Sequence, residues 1–433
     1  MAEFKTVRGM RDFLPEEARL LRRVEGKARE VARLYGYREI VTPIVESYEL
    51  LSAKAGEEVK SRMFAFKDLG GRDVALRPEF TASVARLVAT TLRNEPRPFR
   101  LFSDGSIYRY DEPQRGRYRE IFQTNYELMG SSRPEADAEI LLLTNSLMQG
   151  AGLKRLAFKI GHIGVLRGIL AQEKLVDKVQ GAVMQLMDKK QYDDAFRLVE
   201  SAGVSEKCMV TLRKLVALKG SDVLLVVDGV AELVAAYERS VEAARNLGEI
   251  LALVLKSGCD VDMTVDAGFA RGLEYYTGMI FEVYVPDMNI ALGGGGRYDR
   301  LIELFGGDPT PAVGVAHGVD RMMLALQEQK AAQKAVPEVG EERTVLVVPI
   351  KEELEGEALR VSQVLRNAGV PVEVEVMGRK MAKALEDADR RKMSYAVIIG
   401  ERELKEGAVV VRNLTKREQC TVKIEDVAEA VKS

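Results

Sequence analysis

Apolar residues recur every three to four positions between residues 16 and 36, at Leu20, Val24, Ala28, Val31 and Tyr35, which predicts an amphipathic helix. The segment REIVTP after it reads as a strand whose end or edge is marked by Pro43. A short strand is expected at 74–77 and a helix at 79–93. Two stretches rich in Phe, Tyr, Ile and Leu, 99–110 and 118–129, flank the polar run EPQRGRY and predict a long antiparallel hairpin, with a helix at 135–149. From 155 to 256 Leu, Val and Ala dominate, Gly and Pro are few, and the pattern is helical throughout. Strand patterns return at 262–270, 276–285 and 290–295, followed by four glycines at 293–296 and a helix from about 318. Beyond the polar stretch QEQKAAQKAVPEVGEE, 328–343, strands TVLVVPI, VEVEVM and YAVIIG alternate with helices at 355–368 and 380–391, the pattern of a small α/β domain.

These elements divide the chain into a core built from 1–154 and 257–327, a helical insertion at 155–256, a linker at 328–343 and an α/β domain at 344–433. A length of 433 residues agrees with two or three domains. Apolar residues at 46% and charged residues at 30% are ordinary for a soluble globular protein. No apolar run approaches the roughly 20 residues that span a bilayer, and MAEFKTVRGMRDF lacks a signal-peptide core, so no membrane association and a cytoplasmic location are expected. Cys208, Cys259 and Cys420 form no CxxC pair, and His162 and His317 are the two histidines. A disulfide framework, a zinc site and a serine-type triad are therefore poor candidates. With a net charge of −2, any nucleic acid must meet a local basic patch.

Five stretches carry candidate chemistry. There is no GxxxxGK loop and no GxGxxG opening a helix, so an ATP site would have to rest on an antiparallel sheet. The hairpin holds Arg109, Asp111, Arg115, Arg117, Arg119, Glu120, Gln123 and Glu127, and alternation puts Arg119, Ile121, Gln123 and Glu127 on one face. Arginine forks suit phosphate oxygens, so Arg109 on the strand and Arg117 in the loop could grip a triphosphate. In ARGLEYYTG, Arg271 needs an anion among apolar and aromatic neighbours, and Tyr275 and Tyr276 point to opposite faces. Gly293–Gly296 before Arg297-Tyr298-Asp299 would let a backbone approach a ligand. Arg321 falls in the first turn of a helix, where the dipole disfavours a cation and a bound anion would be welcome. Glu79 and Thr81, at a helix start, could hold an ammonium group. Each has a plainer reading when taken alone: a solvated hairpin, an aromatic core pair, a glycine turn, a paired helix-start arginine and a helix cap.

Taken together and in this order, they resemble class II aminoacyl-tRNA synthetases, and specifically the histidyl-tRNA synthetase family. Residues 37–51 resemble motif 1, the dimer element, 99–130 motif 2 and 312–326 motif 3; RGLEYYTG and GGGGRYD resemble the two histidine-specific signatures, and VRGMRDFLPEE is typical of the family. The resemblance implies an α+β catalytic domain on an antiparallel sheet, a helical insertion that leans on the tRNA acceptor stem, and a C-terminal α/β anticodon-binding domain. It implies a homodimer acting on L-histidine, ATP with its magnesium, and tRNA(His), with no protein-held metal. The carboxylate of histidine would attack the α-phosphorus without a general base, and the 3′-hydroxyl of tRNA would then take the aminoacyl group.

By position, the resemblance assigns catalysis to Arg271, Arg109 and Gln123. Glu79, Thr81 and Gln123 would hold the histidine ammonium group, Glu127 and Tyr276 the imidazole, and Tyr275 would line the pocket. Arg271 would bridge the histidine carboxylate and the α-phosphate, which Arg109 would also hold. Arg117 and Arg321 would take the outer phosphates, Asp111 and Ile121 the adenine, and Gln114 and Arg115 the acceptor end of the tRNA. The sequence departs from the family at Phe80, where bacterial members carry Gly, at Asp111 for Glu, at Ile121 for a stacking Phe, and at Glu274 for Asp. The main rival is a histidine-binding regulatory subunit of ATP phosphoribosyltransferase, which shares the core without charging tRNA. Such proteins usually lack the anticodon domain and some of the arginines, all of which are kept here. Another class IIa synthetase and an inactive tRNA-binding module are the remaining rivals, and the two histidine signatures and the polar pocket argue against them.

Overall fold

The computed structural model describes residues 4–53, 57–271, 275–286, 288, 290–332 and 344–432. Residues 272–274 of the RGLEYYTG stretch and 333–343 of the expected linker lie outside this set. The chain forms two compact units, 1–333 and 334–433.

The larger unit is organised by a nine-stranded sheet. Near one edge the hairpin strands Phe99–Tyr108 and Glu120–Met129 pair antiparallel, with Gly105 opposite Gln123 and Leu101 opposite Glu127. Ala312–Gly318 continues the sheet, placing Gly314 beside Glu127 and Gly318 beside Gln123. Gly293–Arg297, Met279–Tyr284 and Ala157–His162 follow, all antiparallel. Two pairings are parallel: Arg38–Glu39 with the 99–108 strand at one edge, and Met263–Asp266 with Ala157–His162 near the other. The period-two alternation of the strands divides the core into two layers. Phe102, Tyr126, Leu128, Met279, Phe281 and Val313 pack with helices Pro15–Leu34, Pro134–Ala151 and Val319–Ala332. Leu101, Met129, Ile280 and Ala312 face helix Thr81–Ala89 and the helical insertion. The odd-numbered residues from Ile121 to Glu127 share that second face, where a pocket opens.

Several expectations change. The helical segment begins at Ile163, because Ala157–His162 is a strand of the main sheet with Phe158 and Ile160 buried. Its short alternation is hidden in the sequence by apolar neighbours on both sides. The glycine run is a strand in mid-sheet, not a turn. A Cβ at Gly295 would lie 2.1 Å from the Gly314 carbonyl oxygen, and one at Gly296 2.5 Å from that of Met279, so neighbouring backbones come closer than side chains permit. The expected 74–77 strand is Asp73–Leu76, and it forms a separate small sheet with Val45–Ser47 and Ala65–Lys67. The helix expected at 79–93 covers Thr81–Ala89. Helix Val319–Ala332 runs into the expected linker, since Gln, Glu, Lys and Ala are strong helix formers whatever their polarity.

The second unit has a five-stranded sheet ordered Val372–Val374, Val345–Pro349, Tyr395–Ile399, Ala408–Asn413, Glu418–Lys423. The first three are parallel and joined through helices Glu355–Asn367 and Met381–Arg390. The last two form an antiparallel hairpin absent from the expected pattern. Among the described residues, no helix is long and apolar enough to cross a membrane.

Candidate active site

A cavity of about 140 Å³ opens on the second face of the main sheet. Its walls include Glu79, Thr81, Arg109, Ile121, Gln123, Arg271, Tyr275, Tyr276 and Arg321, so residues spread over 240 positions of sequence converge on one small space. The glycine strand is what makes room. A Cβ at Gly294 would lie 1.9 Å from Arg271 Nη1, and one at Gly314 would lie 1.7 Å from Glu127 Oε2.

One end of the cavity is an acceptor site. Glu79 precedes helix Thr81–Ala89, and its Oε1 accepts from the Ala82 backbone N–H at 3.0 Å, a cap on the helix start. Its Oε2 accepts from the Tyr275 hydroxyl at 3.3 Å, and burial raises its pKa. Gln123 adds Oε1, which is buried and without a hydrogen-bond partner among the described residues. A buried acceptor is rarely left unpaired, so this atom points to a donor on a ligand.

Glu127 is not itself among the lining residues. It is 1% exposed and accepts from Thr81 Oγ1 at 2.7 Å, Asn125 Nδ2 at 3.0 Å and the Tyr298 hydroxyl. Burial pushes its carboxyl up to about 7, against the pull of those three donors. Thr81, Asn125 and Tyr298 all reach the cavity, so Glu127 forms its underlayer. Tyr275 stacks edge-on against Tyr298, their centroids 5.6 Å apart.

The other end is cationic. Arg109 Nε donates to the Pro78 carbonyl at 2.8 Å, and Arg321 Nη1 donates to that of Ala291 at 2.8 Å. Among the described residues neither has a carboxylate within ion-pair distance. Burial lowers the pKa of Arg321, and repulsion from Arg109 and Arg117 lowers it further. Arg271 Nη1 donates to the Phe281 carbonyl at 3.0 Å and lies 3.5 Å from Glu282 Oε1.

The remaining expected residues sit outside the cavity. Asp111 is buried between Arg62 at 3.1 Å and Arg117 at 3.2 Å. Gln114 and Arg117 close a tight turn through paired backbone hydrogen bonds. Arg115 is exposed and pairs with Glu328 at 2.8 Å. Arg119 leaves the face shared by Ile121, Gln123 and Glu127; it is buried, donates to the backbone carbonyls of Asp111 and Arg8, and its guanidinium carbon lies 3.6 Å from the Tyr110 ring centroid. Reasoning from sequence missed Asn125, Tyr298 and Glu282. Asn125 could have been found, because it falls between Gln123 and Glu127 in the same alternation. Neither histidine serves the cavity: burial holds His162 down to about 4 and His317 to about 3, so both are neutral. A larger cleft, about 870 Å³, adjoins Tyr275 and Tyr276 between the helical segment and the sheet; the smaller cavity holds the convergent arginines and carboxylates.

The histidyl-tRNA synthetase sequence profile matches residues 9–322, and that of the anticodon-binding domain matches 344–433. The chain belongs to the histidyl-tRNA synthetase family. A histidine–tRNA ligase of Methanocaldococcus jannaschii is 41% identical over 427 residues, 98% of each chain. One of Saccharolobus solfataricus is 39% identical, covering 100% of this chain and 99% of its own. Among solved structures, histidyl-tRNA synthetase from a Nostoc species superposes with a TM-score of 0.80 at 23% identity, over 100% of this chain and 99% of that one, a likeness of fold. A Bacillus halodurans protein described as an ATP phosphoribosyltransferase regulatory subunit/histidyl-tRNA synthetase gives 0.76 at 26% identity, over 89% of this chain and 97% of that one. As a histidyl-tRNA synthetase family member matched end to end by histidine–tRNA ligases, the chain is an aminoacyl-tRNA synthetase. The regulatory-subunit reading is not favoured.

Proposed function

We propose that the cavity binds histidine and the triphosphate of ATP side by side and forms histidyl-adenylate there. The observation that carries this reading is the division of charge within one cavity. Glu79 and Gln123 Oε1 face one end, while Arg109 and Arg321, without carboxylate partners among the described residues, face the other. Half-buried cations that repel one another favour a polyanion between them.

In this reading the ammonium group of histidine sits against Glu79, Thr81 and Gln123. Tyr275 and Tyr276 wall the imidazole, with the carboxyl of Glu127 beneath it. Arg271 holds the histidine carboxylate against the α-phosphate. Arg109 stabilises negative charge as it develops on that phosphate, and Arg321 and Arg117 hold the outer phosphates. Arg271, Arg109 and Gln123 are thus the catalytic set. Attack needs no general base, because the carboxylate is already ionised at neutral pH. Ile121 offers the adenine an aliphatic wall, and Asp111 is supported by Arg62 and Arg117 near it. Magnesium enters with ATP as part of that substrate.

The exposed turn carrying Gln114 and Arg115 suits contact with the acceptor end of tRNA(His), and 344–433 contact with its anticodon. A homodimer is supported by the apolar surface around the small sheet, where Val41 is 91% exposed and Leu69 fully so, beside Ile44, Val45 and Phe66. A role in charging tRNA suits a cytoplasmic location. The reading is tested by ATP-dependent transfer of labelled histidine to total tRNA with excess unlabelled amino acids as competitors. Labelling abolished by unlabelled histidine alone is expected. Histidine binding without transfer would favour the regulatory subunit instead.

A further inference from the structure

The segment Val7–Phe13 lies outside the cavity, yet it is tied to the elements that carry the cationic end. Gly9, at φ +86°, accepts from the Arg119 backbone N–H at 2.9 Å through its carbonyl, and a Cβ there would lie 2.6 Å from Arg119 Cγ. The Arg8 carbonyl accepts from Arg119 Nη1 at 3.3 Å. Phe13 packs edge-on against Phe122, with centroids 5.3 Å apart. Between these contacts Arg11 donates through Nη2 to Asp320, while its guanidinium carbon lies 3.9 Å from the Tyr118 ring centroid and 4.3 Å from that of Phe13.

Asp320 is the centre of the arrangement. Its side chain is 1% exposed, and its second oxygen accepts from the Phe122 backbone N–H at 2.7 Å. The reason lies in strand register. Gln123 is the last residue of its strand to face the 312–318 strand, opposite Gly318, and it also faces Gly105 on the other side. Ile121 is paired on one side alone, opposite Ile107. Where the 312–318 strand ends and helix Val319–Ala332 begins, the Asp320 carboxylate takes over from the missing backbone and holds Phe122. The residue after Asp320 is Arg321, and the residue before Phe122 is Ile121; both line the cavity.

We propose that Arg11 is a positioning residue for ATP: by neutralising the buried Asp320 carboxylate it clasps the 120–129 strand to the start of the 319–332 helix, and so fixes Ile121 against Arg321. This rests on the adenylation reading above. Without Arg11, a buried carboxylate keeps backbone N–H donors alone and no counter-ion, a costly state that it can leave by turning outward or taking up a proton. Phe122 and Ile121 then loosen, while Gln123 stays held from both sides. The ATP end of the cavity is disturbed and the histidine end is not.

The test is histidine-dependent exchange of pyrophosphate into ATP, with each substrate varied in turn, on the full chain. Arg11→Ala raises the KM for ATP about tenfold or more, as expected for ångström-scale misplacement, and changes that for histidine less than threefold. Arg11→Lys, which keeps the charge, recovers most of the loss. In an Asp320→Asn background, which keeps an acceptor for Phe122 and removes the buried charge, Arg11→Ala changes the KM for ATP less than threefold. Equal rises in both KM values, no rescue by lysine, or an undiminished effect in the Asp320→Asn background would each overturn the proposal. Absence of histidine-dependent exchange in the unaltered protein would instead remove the adenylation reading, and this inference with it.

Discussion

Replacing Tyr298 by Phe removes one hydroxyl from the underlayer of the cavity and leaves the ring in place. Tyr298 is 2% exposed and Glu127 1%, so water cannot substitute for the lost donor without disturbing the packing. Glu127 keeps Thr81 at 2.7 Å and Asn125 at 3.0 Å. A hydrogen bond to a charged acceptor contributes roughly 1.5–3 kcal/mol, and 1.36 kcal/mol corresponds to about one pKa unit. The Glu127 carboxyl, already at about 7 through burial, should therefore rise by roughly one to two units in the variant. A raised carboxyl loses its ionised form first as pH falls. In the unaltered protein the KM for histidine should climb as pH drops through about 7. In Tyr298→Phe the climb should begin one to two units higher, and at pH 7 the KM should be roughly five- to fiftyfold greater. The imidazole of free histidine titrates near 6.5 for both proteins and cancels in the comparison. The same shift makes folding relatively more favourable below pH 4.5, an advantage lost as pH rises to about 7, so melts at each pH separate binding from stability. Pyrophosphate exchange with varied histidine between pH 6 and 10 is the assay. An unmoved profile, or an equal rise in the KM for ATP, would refute the reasoning.

Gly294→Ala places a Cβ 1.9 Å from Arg271 Nη1, so exchange kcat/KM should fall by about a hundredfold, with a thermal melt showing whether the fold persists. Arg321→Ala should raise the KM for ATP about tenfold or more and leave that for histidine within threefold, measured in the same assay. Arg297 and Asp137 form a buried pair, 5% and 0% exposed, with Nε 3.0 Å from both carboxylate oxygens; Arg297→Ala should cost about 3–5 kcal/mol, read as a lower urea midpoint of the larger unit.

Much of the site was legible because its residues are tied to local patterns. Alternation along 120–129 put Ile121, Gln123 and Glu127 on one face, and the structure places them along the cavity and its underlayer. The start of helix Thr81–Ala89 located Glu79 and Thr81 for the same reason. What stayed hidden depends on pairing between distant segments. The glycine run looked like a turn because nothing local shows that Met279 and Gly314 press on it from either side. The ion pair between Asp111 and Arg117, 3.2 Å apart, does not follow from any local period. The clasp of Arg11 on Asp320 joins residues 309 positions apart, beyond any periodicity. The strand Ala157–His162 was absorbed into the helical reading because six residues carry too few alternations to stand out among apolar neighbours.

The central claim is that this cavity activates histidine with ATP. Pyrophosphate exchange into ATP, run with each of the common amino acids separately and repeated with Arg271→Ala, tests it most directly. The account predicts exchange with histidine alone, reduced by at least a hundredfold in the variant while the protein stays folded. Exchange with a different amino acid, no exchange with any, or full activity in Arg271→Ala would contradict it.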